Sequence, residues 1–193
     1  MPATMIHLLI AREVEPKASD LFWVGNFAPD YTDEREFKDR IHLRDIADRD
    51  AALKDLKARI DISNDFERGW LLHLFADFCW DIKEFIDYKN WAESTGKTDN
   101  WFSNYREEGS FVTFYLYHNL PWSSSLLNQI KAVDIGKIKT SLPVTLQELG
   151  LYRDVIYKKH TESDANIKPR FYTENLLTEF AKTTAYKYRE WIE

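Results

Sequence analysis

Apolar side chains recur every three or four residues along most of this chain, the spacing that places them on one face of an α-helix. In the first such segment, Ile6, Ile10 and Val14 follow this spacing and predict a helix over residues 5–15. The same pattern predicts helices over residues 47–60, 64–88, 105–119, 123–133, 145–159 and 171–192, and a capping signature at Asp33 and Glu36 predicts a short helix over residues 33–37. The sequence therefore predicts an all-α fold, a multi-helix bundle of about seven or eight helices that forms one domain over residues 1–193.

Three segments lack this helical period and are predicted to be loops. Residues 21–31 are rich in aromatic side chains but also contain glycine, asparagine and proline, which favour irregular backbone. Residues 40–45 and 91–104 are interpreted as loops that connect helices. Aromatic and β-branched residues are dense in 105–119, so a strand is the alternative to a helix there.

Composition limits the kinds of protein that this chain can be. Its 193 residues are 44% hydrophobic and 15% aromatic, which is enough for one core rich in large rings. Cys79 is the only cysteine, so a disulfide within the chain and a cysteine-rich zinc site are both excluded. Any bound metal must therefore be held by nitrogen and oxygen atoms.

Charge and hydropathy indicate which partners to expect. The formal net charge is −6, from 26 basic and 32 acidic residues, which argues against binding of nucleic-acid polymers. No apolar run of 18 or more residues occurs, so no transmembrane segment is predicted. The first residues lack the basic start of a secretory signal, and we expect a cytoplasmic protein. The sequence leaves the oligomeric state open.

His73 and Asp77 are the most informative polar residues, because they interrupt a strongly apolar segment over residues 69–78. Four residues of helix place both side chains on one face. A carboxylate among such neighbours loses much of its hydration and needs a partner, and a bound cation is one that compensates it fully. The alternative is a buried hydrogen-bonded pair without a metal.

Three further residues of metal-ligand type precede this pair. His7 lies at the edge of the apolar stripe of the first helix, Asp30 follows a proline in an apolar segment, and His42 lies in a short predicted loop. Each has an ordinary alternative: a core histidine, a turn or cap residue, and a surface or packing histidine, respectively. Our hypothesis is that these three residues and the helical pair converge on a divalent metal.

Four segments together resemble a known family. Residues 6–11, 25–30, 41–42 and 69–77 look like the ordered motifs of the zinc-dependent phospholipase C family. That family is similar in fold and metal cluster to the S1/P1-type nucleases. The resemblance covers roughly residues 5–80 and implies a helical phospholipase C-like bundle with bound divalent metal. Zinc is the metal expected first, with manganese, iron or nickel as alternatives.

The resemblance also implies roles for individual residues. Asp30, His42, His73 and Asp77 would surround the first metal, and His7 would bind a second metal that Asp77 bridges. Asp30 would also orient or deprotonate the attacking water. The family has a further histidine where this chain has Lys83, and a later His-x-x-x-Glu motif that does not occur after residue 80. We therefore expect one metal, or two, rather than three.

These observations favour a metal-dependent hydrolase of phosphoric esters, in which metal-activated water attacks phosphorus in a small-molecule substrate. His118 is the candidate general acid, and its alternatives are an extra ligand or a core histidine bonded to a carbonyl. His160, beside two lysines, is interpreted as solvated. Arg40 and Arg44 flank His42 and are candidates for contacting a phosphate oxygen, or for pairing with nearby surface aspartates.

Two other functions are kept as alternatives. The first is an HD-type phosphohydrolase, which ranks lower because no histidine in this chain is followed directly by aspartate. The second is a catalytically degenerate metal-binding module, which the absence of the later ligand motif favours.

Overall fold

Residues 2–193 are described by a computed structural model, and they form helices without any β-strand. The ten α-helices are α1 (Thr4–Val14), α2 (Asp20–Phe27), α3 (Arg35–Ile41), α4 (Arg49–Arg59), α5 (Asp65–Ile82), α6 (Glu84–Ser94), α7 (Trp101–Asn119), α8 (Ser123–Ala132), α9 (Leu146–Thr161) and α10 (Glu174–Ile192). Two short 3-10 helices cover Ala28–Asp30 and Ile135–Lys137. The predicted all-α fold is confirmed, with more helices than the seven or eight expected.

The loop predicted over residues 21–31 is wrong, because α2 and the first 3-10 helix occupy it. Every residue from Phe22 to Phe27 is buried, so α2 has no polar face and its sequence shows no amphipathic period. The hydroxyl of Ser19 accepts a hydrogen bond from the Phe22 N–H at 3.3 Å and caps the helix start. Burial on all sides is therefore what concealed this helix from pattern analysis.

Two other boundaries differ from the prediction. The long helix expected over residues 64–88 ends at Ile82, because Lys83 leaves helical geometry with φ −132° and ψ −75° before α6 begins. The loop expected over residues 91–104 shrinks to residues 95–100 between α6 and α7. The strand considered for residues 105–119 is wrong, since they belong to α7.

Helices α2 and α5 cross with their backbones in contact. A Cβ atom on Gly25 would lie 2.0 Å from the carbonyl oxygen of Phe66, and one on Gly69 would lie 2.2 Å from that of Phe22. Only a residue without a side chain fits at either position. This close approach brings the end of α2 and the 3-10 helix after it against the middle of α5.

The buried side chains form one continuous apolar cluster that surrounds α5. Large rings dominate it, as the composition predicts, and Trp70, Trp80, Tyr172 and Tyr188 are among the largest fully buried side chains. Helix α1 is enclosed by packing against α2, α5, α7 and α10, so the first and last helices are neighbours. The Arg189 side chain of α10 donates a hydrogen bond to the Glu13 carbonyl of α1 at 2.9 Å.

No helix in the described part of the chain combines the length and the apolar character needed to cross a membrane. The cytoplasmic location stays a prediction.

Substituting alanine at Gly25 or Gly69 should destabilise the protein strongly. The added methyl group meets backbone atoms of the facing helix, and we expect a loss of roughly 1–3 kcal/mol or more in the free energy of unfolding. Gly109→Ala and Gly150→Ala are matched controls, because both glycines are helical and a Cβ there meets nothing within 4 Å. These controls should gain about 0.5–1 kcal/mol. Urea unfolding measures all four, and equal stabilities would contradict the close helix contact.

Candidate metal centre

The five predicted ligand residues come together beside the α2–α5 contact. The Nε2 atom of His42 lies 3.3 Å from Nε2 of His73. The same atom lies 3.5 Å from Oδ1 of Asp30 and 3.6 Å from Oδ2 of Asp77. Nε2 of His7 lies 3.4 Å from the other oxygen of Asp77, and Nε2 of His73 lies 3.9 Å from Oδ2 of Asp30. Residues that are distant in sequence thus form one cluster.

Four separate elements position these side chains. His7 projects from the buried face of α1, and Asp30 is the last residue of the first 3-10 helix. His42 directly follows α3. His73 and Asp77 lie one turn apart on α5, as the four-residue spacing predicts.

Hydrogen bonds to backbone carbonyls fix the tautomers of two imidazoles. Nδ1 of His73 lies 2.8 Å from the Asn26 carbonyl oxygen, and Nδ1 of His42 lies 2.8 Å from that of Lys38. A carbonyl only accepts hydrogen bonds, so both Nδ1 atoms carry the proton and donate it. Each Nε2 atom therefore directs a lone pair into the cluster, the orientation that metal-binding histidines have.

The facing nitrogens of His42 and His73 fit a metal better than they fit each other. Two lone pairs 3.3 Å apart cannot form a hydrogen bond unless one ring gains a proton. Two imidazole nitrogens on one zinc ion, at bond lengths of about 2.0–2.1 Å in tetrahedral geometry, are about 3.3–3.4 Å apart. The spacing in this chain therefore matches that of two ligands of one ion.

His7 also lacks the partners expected of a buried histidine. It is 1% exposed, and neither ring nitrogen makes a well-aligned hydrogen bond. Its ring stacks on that of His73 with centroids 3.7 Å apart and planes 8° from parallel. Oδ1 of Asp77, which lies beside Nε2 of His7, likewise has no hydrogen-bond partner. Because unpaired buried polar atoms are rare in proteins, this group is a candidate site for a ligand that compensates them.

Three basic side chains approach the cluster and compensate part of its negative charge. Nζ of Lys38 lies 2.9 Å from Oδ1 of Asp30. Nη2 of Arg44 lies 2.7 Å from Oδ2 of Asp77, and Nη2 of Arg49 lies 3.8 Å from the same oxygen. Of the two arginines that flank His42, Arg44 faces the cluster, because it pairs with Asp77. Arg40 is exposed and lies over the Phe37 ring.

The protonation states suit metal binding at neutral pH. Burial raises the pKa of Asp30, but contact with His42 and the charge of Lys38 outweigh it and hold the pKa well below 3.8. Burial also raises the pKa of Asp77, but contact with His7 and the charge of Arg44 outweigh it and hold the pKa well below 3.8. Burial lowers the pKa of His73 well below 6.5, so its imidazole is neutral. Ionised carboxylates and a neutral imidazole are the forms that bind metals.

His118, the predicted general acid, has contacts outside this cluster. Its Nε2 lies 2.9 Å from the Ser163 hydroxyl and 3.1 Å from the Ser163 carbonyl, and no hydrogen bond joins it to the five residues. Its catalytic role stays a prediction. The interpretation of His160 as solvated is wrong, because it is 1% exposed. Its Nδ1 donates to the Ile156 carbonyl, and its Nε2 accepts from the Thr113 hydroxyl at 3.0 Å. That hydroxyl accepts from the Met5 N–H.

Sequence reasoning missed three contributors to the centre: Asn26, Lys38 and Arg49. Lys38 lies on α3 four residues before His42, which follows the end of that helix, a spacing that indicates a shared face. Asn26 acts through its backbone carbonyl, which leaves no signal in residue type. Asp81, one turn after Asp77 on α5, pairs with Arg49 at 2.7 Å and with Arg44 at 3.5 Å.

Comparison of the chain with protein-family models, with curated proteins and with solved structures finds no match. The resemblance to the zinc-dependent phospholipase C family stays a prediction that depends on the four sequence motifs.

Acid should destabilise the metal-free protein below the ordinary histidine pKa of 6.5. The unfolded chain binds a proton at His73 below that pH, whereas the folded protein does not until the pH is much lower, so folding loses stability as the pH falls. Asp30 and Asp77 extend the loss below 3.8, where the unfolded chain protonates carboxylates that remain charged in the fold. One such histidine contributes up to about 1.4 kcal/mol per pH unit.

Urea unfolding in chelator between about pH 7 and pH 5 measures this loss, since unperturbed histidines titrate in that range. His73→Asn should have a smaller pH dependence than the unmodified protein. A residual dependence should persist, because burial also lowers the pKa of His160. The same pH dependence in both proteins would show that His73 is protonated alike in the folded and unfolded states.

Proposed function

We propose that this chain binds a divalent metal through His7, Asp30, His42, His73 and Asp77 and hydrolyses small phosphoric esters. The observation that carries the proposal is the pair of facing Nε2 lone pairs of His42 and His73, 3.3 Å apart beside two ionised carboxylates. Without a cation or an added proton, the two facing lone pairs have no donor between them.

The ligand set suits zinc, which accepts imidazole nitrogen and carboxylate oxygen. Manganese, iron and nickel are alternatives, because nitrogen and oxygen ligands do not select among them strongly. A divalent ion held there would supply an activated water and polarise a phosphoryl oxygen.

Asp30 is the carboxylate best placed to orient or deprotonate the attacking water. It is 8% exposed, while Asp77 is fully buried and accepts hydrogen bonding from Arg44. Contact with His42 and the charge of Lys38 keep Asp30 ionised, the form that accepts a hydrogen bond from the attacking water and orients it. In this assignment Asp77 is purely a ligand, and Asp30 both binds and orients the nucleophile.

Metal binding without catalysis is the second candidate, and the burial of the cluster favours it. His7, His42, His73 and Asp77 are each at most 1% exposed, which leaves Asp30 as the main point of access. A substrate would therefore approach along the side that Lys38 and Arg44 border, where the side chains are 19% and 23% exposed. An HD-type phosphohydrolase ranks below both candidates, because its adjacent His-Asp pair does not occur in the sequence.

Zinc should stabilise the folded protein. At a free concentration one hundred times the dissociation constant, the gain in the free energy of unfolding is about 2.7 kcal/mol. Thermal unfolding with and without zinc measures it, together with elemental analysis of protein purified without chelator. His73→Ala and Asp77→Ala should lose the gain and the bound metal, and His118→Ala should keep both. A gain that survives in the first two variants would place the metal elsewhere.

Asp30→Asn should lower turnover of a phosphoric ester by roughly 10²–10⁴-fold, the usual contribution of a positioned proton acceptor. Aryl phosphate mono- and diesters with zinc or manganese are the substrates to test. His118→Gln, measured in parallel, tests whether that histidine protonates the leaving group, since a general acid matters most for poor leaving groups. Metal-loaded protein with no turnover on either ester would leave the binding module as the function.

A further inference from the structure

Two arginines share a pair of aspartates on one side of the metal cluster. Arg44 contacts Asp77 at 2.7 Å and Asp81 at 3.5 Å. Arg49 contacts Asp81 at 2.7 Å through Nη1 and approaches Asp77 at 3.8 Å through Nη2. The two guanidinium groups thus lie next to a carboxylate that is itself a candidate ligand.

The turn that presents Arg44 has an unusual backbone. Helix α3 ends in a motif in which the N–H of Arg44 bonds to the Asp39 carbonyl at 2.8 Å and the N–H of Leu43 to the Arg40 carbonyl at 3.1 Å. Leu43 has φ +57°, a left-handed conformation that glycine normally adopts at this position. The turn brings His42 and Arg44, two residues apart, onto the same cluster.

Arg49 has donors without acceptors. The side chain is only 12% exposed, and its Nε and Nη2 atoms are buried without a hydrogen-bond partner. A buried guanidinium N–H without an acceptor is unfavourable, and the planar fork of arginine matches two oxygens of a phosphate. The unused donors therefore indicate an oxyanion as the missing ligand.

The charges around the cluster limit which oxyanion fits. Lys38, Arg44 and Arg49 balance the three carboxylates of Asp30, Asp77 and Asp81. One divalent ion would leave a local excess of two positive charges, provided that the imidazoles are neutral as metal binding requires. A phosphate monoester carries close to two negative charges at neutral pH, whereas a diester carries one. A second divalent ion would double the excess.

We propose that Arg44 and Arg49 form a clamp for the terminal phosphate of a monoester dianion, and that the centre holds one divalent ion. This inference rests on the proposed metal-dependent function and names its substrate class. Arg49 supplies the free donors, and Arg44 turns part of its fork from Asp77 to the phosphate when an ion takes over the neutralisation of that carboxylate. A diester, with one charge fewer and two substituents, fits less well.

Calorimetric titration of zinc-loaded protein with inorganic phosphate, methyl phosphate and dimethyl phosphate tests the clamp. We expect one zinc per chain, and binding of the first two anions at least about tenfold tighter than that of the diester, since tenfold corresponds to one charged hydrogen bond. Arg49→Gln should weaken phosphate binding by about tenfold or more at unchanged zinc content, and Arg49→Lys by less, because lysine keeps the charge but loses the fork. Arg59→Gln on the same helix is the matched control, as its side chain is exposed and bonds to the Asp55 carbonyl.

Each failure has a separate meaning. Phosphate binding that is unchanged in Arg49→Gln, or equal affinity for the mono- and diester, overturns the clamp while the metal proposal stands. If Arg49→Gln does not fold, Arg49→Lys decides, and unchanged affinity there overturns the clamp. If the protein takes up no zinc, the proposed function is contradicted. Titration of that metal-free protein with phosphate then tests the two arginines alone. If phosphate does not bind, the clamp is overturned as well.

Discussion

The close contact between α2 and α5 is the constraint on which the rest of the centre depends. Glycines at positions 25 and 69 let the two backbones touch, so the carbonyl of Asn26 reaches the ring of His73. The same contact places the 3-10 helix that carries Asp30 over the face of α5 that presents the helical ligands. A wider spacing would separate the carbonyl from the imidazole, and the orientation of His73 would no longer be fixed.

Electrostatic balance is the second organising principle. Two buried carboxylates are held ionised by contacts with histidines and by the charges of Lys38 and Arg44, while both ring nitrogens of His7 lack a hydrogen-bond partner. An incoming cation would therefore compete with lysine and arginine for the same oxygens. The centre is organised around charges that can change partners, which distinguishes it from a core that is stabilised by apolar packing alone.

The sequence was informative where a feature is local and periodic, and uninformative where it depends on tertiary contact. The pairing of His73 and Asp77 follows from helical geometry, and most amphipathic helices were located within a few residues. Helix α2 was missed because burial on every side removes the hydrophobic period. His160 has hydrophilic neighbours in sequence, yet it is enclosed because its ring joins α9 to α7. The roles of Arg49 and of the Asn26 carbonyl arise only when distant segments meet.

The packing of α1 against α10 has a consequence for how the centre forms during synthesis. All five candidate ligands lie in the first 77 residues, but the helix that carries His7 is enclosed in part by the last helix of the bundle. A growing polypeptide could assemble the ligands on α5 and its neighbours early, while the first helix still lacks its final cover. We therefore expect the five candidate ligands to reach their final arrangement only after α10 has formed and docked.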